Sequence, residues 1–476
     1  MKKQLIDLNL LSIFKKNCDS EYQDKLMFDT FPVLDSLNPI TSGGVYAALA
    51  GMSDIKDLSL YDVAGVRTLN RNTANCYVAR AIGVYRIPLV YGNGIKNGMT
   101  NNAAYTKITS SYGADFVNHL GNLITNPYIE FNVGCTPNQV GLLWQTSVGM
   151  INNISLYEGD DCSYIQFTVA SIPTTNGVAV LYVTDSNNDI MWSWMIWLTT
   201  DDLTDITITN HTNVDYDLLG LPLGAIWNAG HTRYSVPHFQ WGRKDPMCPP
   251  SAYNSTSNMT LYDISGNVYE GFGNYGVAND RDAGGTIRSV ANSIKLPNKF
   301  FLQYDDTNYN WNNLSWFNNF WNAAETLSSS LEDNQNTAVK TIYDPCPYGY
   351  KLPSGRFATG FSTDGNNHYA GSDSTQYQYF NVIDVNGSGT IDASDFVNGW
   401  TMKKNSSDTV GLYFPAAGGR DRESGGLGNV GSNGNWWTFA PYSQTIARSL
   451  GFGSAYMGPL SYYYRAYGFG VWPARE

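Results

Sequence analysis

The sequence predicts a mainly β fold with some α-helix, arranged as more than one domain. Tyrosine, tryptophan and glycine are abundant, with 33 Tyr, 13 Trp and 46 Gly, whereas charged residues make up only 15% of the chain. Aromatic residues favour strands, and glycine and asparagine favour the turns between them. The length of 476 residues exceeds what one ordinary core accommodates, so two to four domains are expected.

Charge and cysteine content narrow the class of protein. The formal net charge is −12, and no basic stretch is long enough to follow a phosphate backbone, so nucleic-acid binding is not expected. The longest apolar runs are far shorter than a membrane span, so membrane insertion is not expected either. The six cysteines show no metal spacing and are predicted to be free, buried thiols. If the chain is exported, a disulfide between Cys248 and Cys346 is the alternative.

Residues 1–60 are predicted to form an attachment segment. Leu5, Leu8 and Leu11 have the spacing of a short amphipathic helix, which is too short to be stable without a partner. Asp7 interrupts the apolar stretch and no small-residue cleavage site follows, so we do not expect a signal peptide.

Residues 61–205 are predicted to form a β-sandwich. Apolar runs at 140–144, 164–169 and 178–183 indicate strands separated by turns. The strongest strand is 191–199 (MWSWMIWLT), in which both faces are apolar. We predict a central strand that is buried on both sides, with sugar stacking by its tryptophans as the alternative.

Four spaced signatures mark the last part of the chain: 240–246 (QWGRKDP), 343–353 (YDPCPYGYKLP), 414–418 (FPAAG) and 468–473 (GFGVWP). Their order and spacing resemble the Fibrobacter-succinogenes-type major paralogous domain, which occurs in fimbrillin-like surface proteins and phage fibres. That family is related to the C-type-lectin-like fold of formylglycine-generating enzymes and phage tropism determinants. The resemblance implies a C-type-lectin-like α+β domain over residues 206–476, a rigid scaffold that displays variable loops.

The segment 35–49 (DSLNPITSGGVYAAL) carries a second resemblance. From its residues alone it is an ordinary loop-to-helix junction, because Pro39 favours an extended entry and Thr41 or Ser42 can cap a helix. It is similar to a signature near the N-termini of phage tail and head fibres, where the element precedes a trimeric stalk. This similarity implies attachment to other virion proteins and a homotrimer.

The resemblance to tropism proteins also implies where a receptor binds. In those proteins the stretch before the last signature holds exposed, variable positions on the ligand-facing side. The matching candidates are Asn433, Asn435, Trp436, Tyr456, Tyr462 and Tyr464. Because side chains alternate along a strand, Trp437 and Tyr463 are expected to face the core. Tyrosine rings and asparagine amides suit a host-surface glycan or protein, and surface tyrosines without a ligand are the alternative.

The stretch 384–395 (DVNGSGTIDASD) matches the calcium loop of EF-hand and dockerin proteins. Such a loop needs hard oxygen ligands that converge on one point and a glycine at its sharp turn, here Gly389. The pattern predicts Ca²⁺ as a cofactor that orders the loop, with an ordinary Asx/Gly turn as the alternative. The predicted ligands are Asp384, Asn386, Ser388, Asp392 and Asp395, together with the carbonyl oxygen of Thr390.

Catalytic patterns are weak in this sequence. Carboxylates at Asp280, Asp282, Glu332 and Asp333 could form a pair for glycoside cleavage, but isolated acidic loops explain them better in an acidic protein. Residues 261–270 (LYDISGNVYE) resemble a structural element of formylglycine-generating enzymes. Their activity is not carried over, because it uses a cysteine pair near the C-terminus and this chain has no cysteine after Cys346. We therefore do not expect an enzyme.

These expectations combine into one leading hypothesis. The chain is a head or tail fibre, or a decoration protein, on the surface of a phage particle, and its lectin-like domain adheres to the host. A bacterial cell-surface or fimbrial-tip adhesin is the first alternative, and a capsule-degrading glycosidase is the second.

Overall fold

The structure is a computed structural model that describes residues 55–278, 288–304, 309–331, 333 and 335–476. In that part of the chain the protein is mainly β, with multiple sheets and very little helix, as predicted. Lys56–Glu476 form one compact unit. The predicted attachment segment at 1–60 lies almost wholly outside the described residues, and the division at 205/206 stays a prediction.

The described residues form one α-helix, α1 (Val290–Lys295), and short 3-10 helices at Leu58–Leu60, Asn102–Ala104, Ile129–Phe131, Thr359–Phe361, Ser374–Tyr379 and Ala393–Asp395. Their strands are β1 (Lys56–Asp57), β2 (Cys76–Ala79), β3 (Gly83–Pro88), β4 (Ile95–Lys96), β5 (Met99–Thr100), β6 (Gln139–Gln145), β7 (Ile151–Glu158), β8 (Ser163–Val169), β9 (Gly177–Thr184), β10 (Ile190–Leu198), β11 (Ile206–Thr209), β12 (Asp215–Leu218), β13 (Ile226–Trp227), β14 (Tyr234–Ser235), β15 (Phe239–Gln240), β16 (Gly273–Tyr275), β17 (Lys299–Phe301), β18 (Tyr350–Lys351), β19 (His368–Tyr369), β20 (Gly399–Met402), β21 (Leu412–Pro415), β22 (Gly419–Arg420), β23 (Leu427–Gly428), β24 (Asn433–Pro441), β25 (Ile446–Gly453), β26 (Tyr456–Tyr464), β27 (Gly468–Phe469) and β28 (Ala474–Arg475).

Two four-stranded sheets, with orders β1-β3-β8-β7 and β2-β10-β9-β6, make up much of the first part of the unit. The pairs β1–β3 and β2–β10 are parallel, and the other pairs of these sheets are antiparallel. Strand β10 has a partner on each side, and Trp192, Trp194 and Trp197 are all buried. The prediction of a central strand buried on both faces is therefore confirmed, which leaves these rings no surface for sugar stacking.

Three further four-stranded sheets lie in the second part, with orders β11-β12-β28-β18, β15-β27-β22-β23 and β19-β26-β25-β24. The C-terminal strand β28 pairs with both β12 and β18, so Ala474 lies opposite Leu218 and Lys351. The end of the chain is therefore fixed between strands that are more than a hundred residues away in sequence.

Buried residues from Leu58 to Ala474 belong to one hydrophobic cluster. The sequence signatures supply two of its tryptophans, whose indole N–H groups donate to backbone carbonyls. Trp241 donates to Thr438 (2.9 Å), and Trp472 donates to Leu219 (2.7 Å). Because a buried N–H without an acceptor is costly, these bonds fix how distant segments pack.

A buried charge cluster connects the signature at 240–246 to strand β10. The Lys244 Nζ donates to Asp245 Oδ1 (2.5 Å) and to the Ser193 carbonyl (3.1 Å), and it lies 4.5 Å from the Trp192 ring centre. Arg243 approaches the other oxygen of Asp245 at 3.6 Å. Burial lowers the pKa of both Lys244 and Arg243, and the Asp245 carboxylate opposes that shift.

The five described cysteines, Cys76, Cys135, Cys162, Cys248 and Cys346, are free and buried, as predicted for them. Burial raises the pKa of the Cys248 thiol to about 11. Cys18 lies outside the described residues. None of the helices in the described part of the chain is long and apolar enough to cross a membrane.

Candidate functional site

The candidate receptor residues lie on the antiparallel strands β24, β25 and β26. Asn433 pairs with Gly453, Trp436 with Leu450, and Arg448 with Tyr462. Both strand pairs contain an irregularity in register. Trp436, Leu450, Arg448 and Tyr462 therefore share one face of the sheet, whereas Trp437, Ser449 and Ser461 share the other.

The expectation that Trp436 faces the solvent is wrong, because both Trp436 and Trp437 are 0% exposed. Trp437 packs on Phe469, with ring centres 4.6 Å apart. Trp436 packs against Trp472 at 5.5 Å, and a Cβ atom on Gly470 would approach its ring to 2.8 Å. Both faces of β24 are thus covered here, and alternation along the strand cannot bring either ring to the surface.

The other candidates differ in exposure. Asn433 is exposed at the start of β24, but Asn435 is buried and its Nδ2 donates to the Gly418 carbonyl (3.3 Å). The expectation that Asn435 is exposed is therefore wrong. Tyr456 and Tyr464 are half-buried, and Tyr462 is 48% exposed. Tyr462 therefore offers more open surface than the other aromatic candidates.

Tyr462 belongs to a cluster that the sequence alone does not reveal, formed by Tyr442, Arg448 and Tyr462. The two tyrosine rings are parallel within 1°, with centres 4.3 Å apart. The Arg448 guanidinium lies 4.3 Å from the centre of the Tyr442 ring. We call these three residues the Arg448 cluster. It lies beside the C-terminal end of β24, where Tyr462 is exposed and Tyr442 and Arg448 are half-buried.

Tyr464 takes part in a second group of rings. Its centre lies 4.2 Å from that of Tyr309, and Arg422 lies 5.0 Å from Tyr309 and 5.1 Å from Tyr464. Arg422 also pairs with the carboxylate of Glu423 at 2.8 Å. This guanidinium is therefore neutralised within the chain.

Tyr456 lies at the opposite end of β26 and contributes less open surface. Its hydroxyl shares a hydrogen bond of 2.5 Å with Ser461 Oγ. Its cross-strand partner on β19, Tyr369, is 69% exposed. Beside it, the rings of His368 and Tyr379 stack with centres 4.2 Å apart. The sequence did not point to Tyr369 or Tyr379. Strand β19 is only two residues long, and both tyrosines lie far from the candidate residues in sequence.

The first half of the predicted calcium loop is folded around one carboxylate. Asp384 Oδ1 accepts hydrogen bonds from the backbone of Gly387 (2.7 Å) and Ser388 (3.2 Å), and its Oδ2 accepts from Gly389 (2.7 Å). Gly389 has a φ of +86°, a left-handed conformation that glycine adopts without strain. The tight turn expected at this position is therefore present.

The remaining predicted ligands also bond to one another within the loop. Asn386 Oδ1 accepts from the Ser388 backbone (2.7 Å), and Ser388 Oγ donates to the Thr390 carbonyl (2.7 Å). Asp395 Oδ1 accepts from the Asn386 backbone (3.1 Å), and its Oδ2 accepts from that of Asp392 (3.0 Å). Asp392 itself caps the 3-10 helix that follows.

A calcium site needs these oxygens to converge. Across the residues that the structure describes, no group of three or more His, Cys, Asp or Glu side chains is arranged to hold a metal ion. The six residues therefore have the right chemistry and order, and their carboxylates accept hydrogen bonds from backbone N–H groups of the loop. Calcium binding by this loop stays a prediction.

The catalytic alternatives gain no support from the described residues. Asp280, Asp282 and Glu332 lie outside them. The Asp333 carboxylate accepts hydrogen bonds from Asn210 Nδ2 (2.7 Å) and the Tyr216 hydroxyl (2.8 Å). This side chain thus connects its own segment to buried residues of the β11–β12 hairpin.

Comparisons of the whole chain with family models, with curated proteins and with solved structures found no match. The functional argument therefore depends on the geometry above and on the resemblances in the sequence.

Proposed function

We propose that this chain is a structural protein of a phage particle, a head or tail fibre or decoration subunit, that adheres to the host surface. In this proposal residues 1–60 attach it to other virion proteins, and residues 61–205 form a β-sandwich spacer. Residues 206–476 are the C-type-lectin-like domain that contacts a host glycan or protein. The chain acts by binding and carries out no catalysis.

The observation that carries the adhesive part is the exposure of the Tyr462 ring on β26. Tyr462 is 48% exposed, whereas Trp436 and Trp437 on the same sheet are fully buried. Aromatic rings that project from rigid strands lose little conformational entropy when they contact a ligand. An exposed tyrosine on a strand of an otherwise mostly buried sheet is therefore well suited to recognition.

A homotrimer would serve the same function. Fibre proteins that resemble this chain at residues 35–49 assemble as trimers, and we propose a homotrimer here. Several copies raise the effective concentration at a surface, so each contact with a glycan can be weak and the particle still adheres.

Two measurements test this proposal. Mass spectrometry of purified phage particles and of the outer-membrane fraction of uninfected cells should find the chain in the particles. Fluorescently labelled full-length chain should bind host cells. Detection only in the cell fraction would favour the bacterial adhesin instead, and failure to bind any host cell would contradict the adhesive role. Release of new reducing ends from the capsule would favour the glycosidase.

A further inference from the structure

Arg448 is a half-buried cation without a carboxylate partner. The described residues form no ion pair with it, although the chain has a net charge of −12. Its one hydrogen bond runs from Nη1 to the Leu460 carbonyl at a long 3.5 Å, and its Nε is buried without an acceptor. A guanidinium has five N–H donors, so most of the hydrogen-bonding capacity of Arg448 is unused.

A second guanidinium lies on the same side of the molecule. Arg356 forms no ion pair or side-chain hydrogen bond with the described residues. Its segment runs beside the end of β24: the Phe439 backbone donates to the Pro353 carbonyl (3.1 Å), and a Cβ atom on Gly355 would contact Ala440 at 3.1 Å. Burial, together with the nearby charge of Arg356, lowers the pKa of Arg448. A bound anion would offset both the cost of burying the Arg448 charge and the repulsion between Arg448 and Arg356.

Arg86 provides a contrast to Arg448. Arg86 also lies over tyrosine rings, 4.3 Å from that of Tyr164 and 5.8 Å from that of Tyr157. It has a carboxylate of its own chain, Asp57, at 3.6 Å. Arg86 is thus neutralised within the fold, whereas Arg448 is not.

We propose that the Arg448 cluster binds an anionic sugar of the host surface. Arg448 hydrogen-bonds the acidic group, Tyr462 packs on the sugar ring, and Arg356 adds positive charge nearby. A planar guanidinium matches the two oxygens of a carboxylate or phosphate, and charge-assisted bonds of this kind are stronger than neutral ones. This inference rests on the proposed function, since it names the class of ligand that the adhesive face takes.

The test uses the full-length chain and capsular polysaccharide extracted from cells that it binds. Binding is measured to three samples: the native polymer, the polymer after chemical reduction of its carboxyl groups, and the polymer after hydrofluoric acid cleavage of its phosphodiesters. Loss of binding after carboxyl reduction identifies a uronic or similar acid, and loss after hydrofluoric acid identifies a phosphate. Undiminished binding to both treated samples overturns the inference and leaves the adhesive function intact. Failure to bind any cell rejects the adhesive function itself.

Variants locate the contact. We expect Arg448→Gln to weaken binding to the native polymer about tenfold or more, which corresponds to the loss of a charge-assisted hydrogen bond. Arg448→Lys should restore part of the affinity, because it keeps the charge and loses the fork of donors. Arg86→Gln, the matched control, should bind like the wild type. Equal affinities of Arg448→Gln and wild type, at equal melting temperatures, would overturn the assignment.

Discussion

At the scale of single residues, the buried charges are the least expected feature of a chain with so few charged side chains. Lys244 and Arg243 share one carboxylate, Asp245, inside the core. Taking ions out of water is costly, so removing one partner of a buried pair leaves an uncompensated charge. These buried charges therefore fix how residues 240–246 pack against β10.

The first prediction concerns that carboxylate. Asp245→Asn should lower the free energy of unfolding by about 3–5 kcal/mol, because two buried cations lose their counter-ion. The matched control is Asp189→Asn, which breaks the exposed Lys295–Asp189 pair (2.6 Å) and should cost less than about 1 kcal/mol. Denaturant unfolding monitored by tryptophan fluorescence measures both. If both variants lose a similar free energy of unfolding, the buried ion pairs of Asp245 contribute no more to stability than the Lys295–Asp189 pair does.

The residue scale is also where the sequence was least informative about the site. The alternation of side chains correctly predicts Tyr462 as more exposed than Tyr463, but it fails at Trp436, where a second layer of rings from 468–473 covers the strand. Strand register places Arg448 of β25 opposite Tyr462 of β26. The chain reversal after β24 brings Tyr442 beside them. No pattern within one segment contains that information.

At the scale of elements, strand prediction succeeded where a segment has one dominant environment. The run 191–199 is apolar on both faces, and β10 is buried on both faces. Prediction failed for β24, which is buried along its whole length except at Asn433. Segments that are distant in sequence cover both of its faces, so local pattern cannot supply this burial.

The loop at 384–395 gives an element-scale prediction. If it binds calcium, adding Ca²⁺ to the full-length chain should raise the melting temperature and EDTA should reverse the rise, because a ligand of the folded state stabilises it by mass action. Asp384→Asn should abolish the rise. Identical melting curves with calcium and with EDTA would contradict the calcium assignment and favour the Asx/Gly turn.

At the scale of the whole molecule, the signatures at 240–246, 343–353 and 468–473 contribute buried side chains that connect distant segments. Asn75 shows how far these connections extend, since its Nδ2 donates to the carbonyl oxygens of Ile342 (2.6 Å) and Asp344 (2.8 Å). The sequence predicted the mainly β class from composition. It did not predict these long-range bonds, because each depends on two segments that are hundreds of residues apart.

The described residues therefore form an interlocked β body, and the Arg448 cluster is a partly open aromatic surface on it. Substitutions in that cluster should change adhesion without changing stability. Substitutions in the buried rings of the same sheet should change stability first. This separation distinguishes an adhesive face from a surface patch without function.

The most direct measurement is host-cell binding by full-length chains that carry Tyr462→Ala or Tyr157→Ala. Tyr157 is the matched control, because it is 41% exposed and lies on β7, outside the β24–β26 sheet. The account predicts that Tyr462→Ala weakens binding at least about tenfold with a melting temperature near that of the wild type, and that Tyr157→Ala binds normally. Equal binding by wild type and both variants would contradict the claim that the Arg448 cluster is the adhesive face.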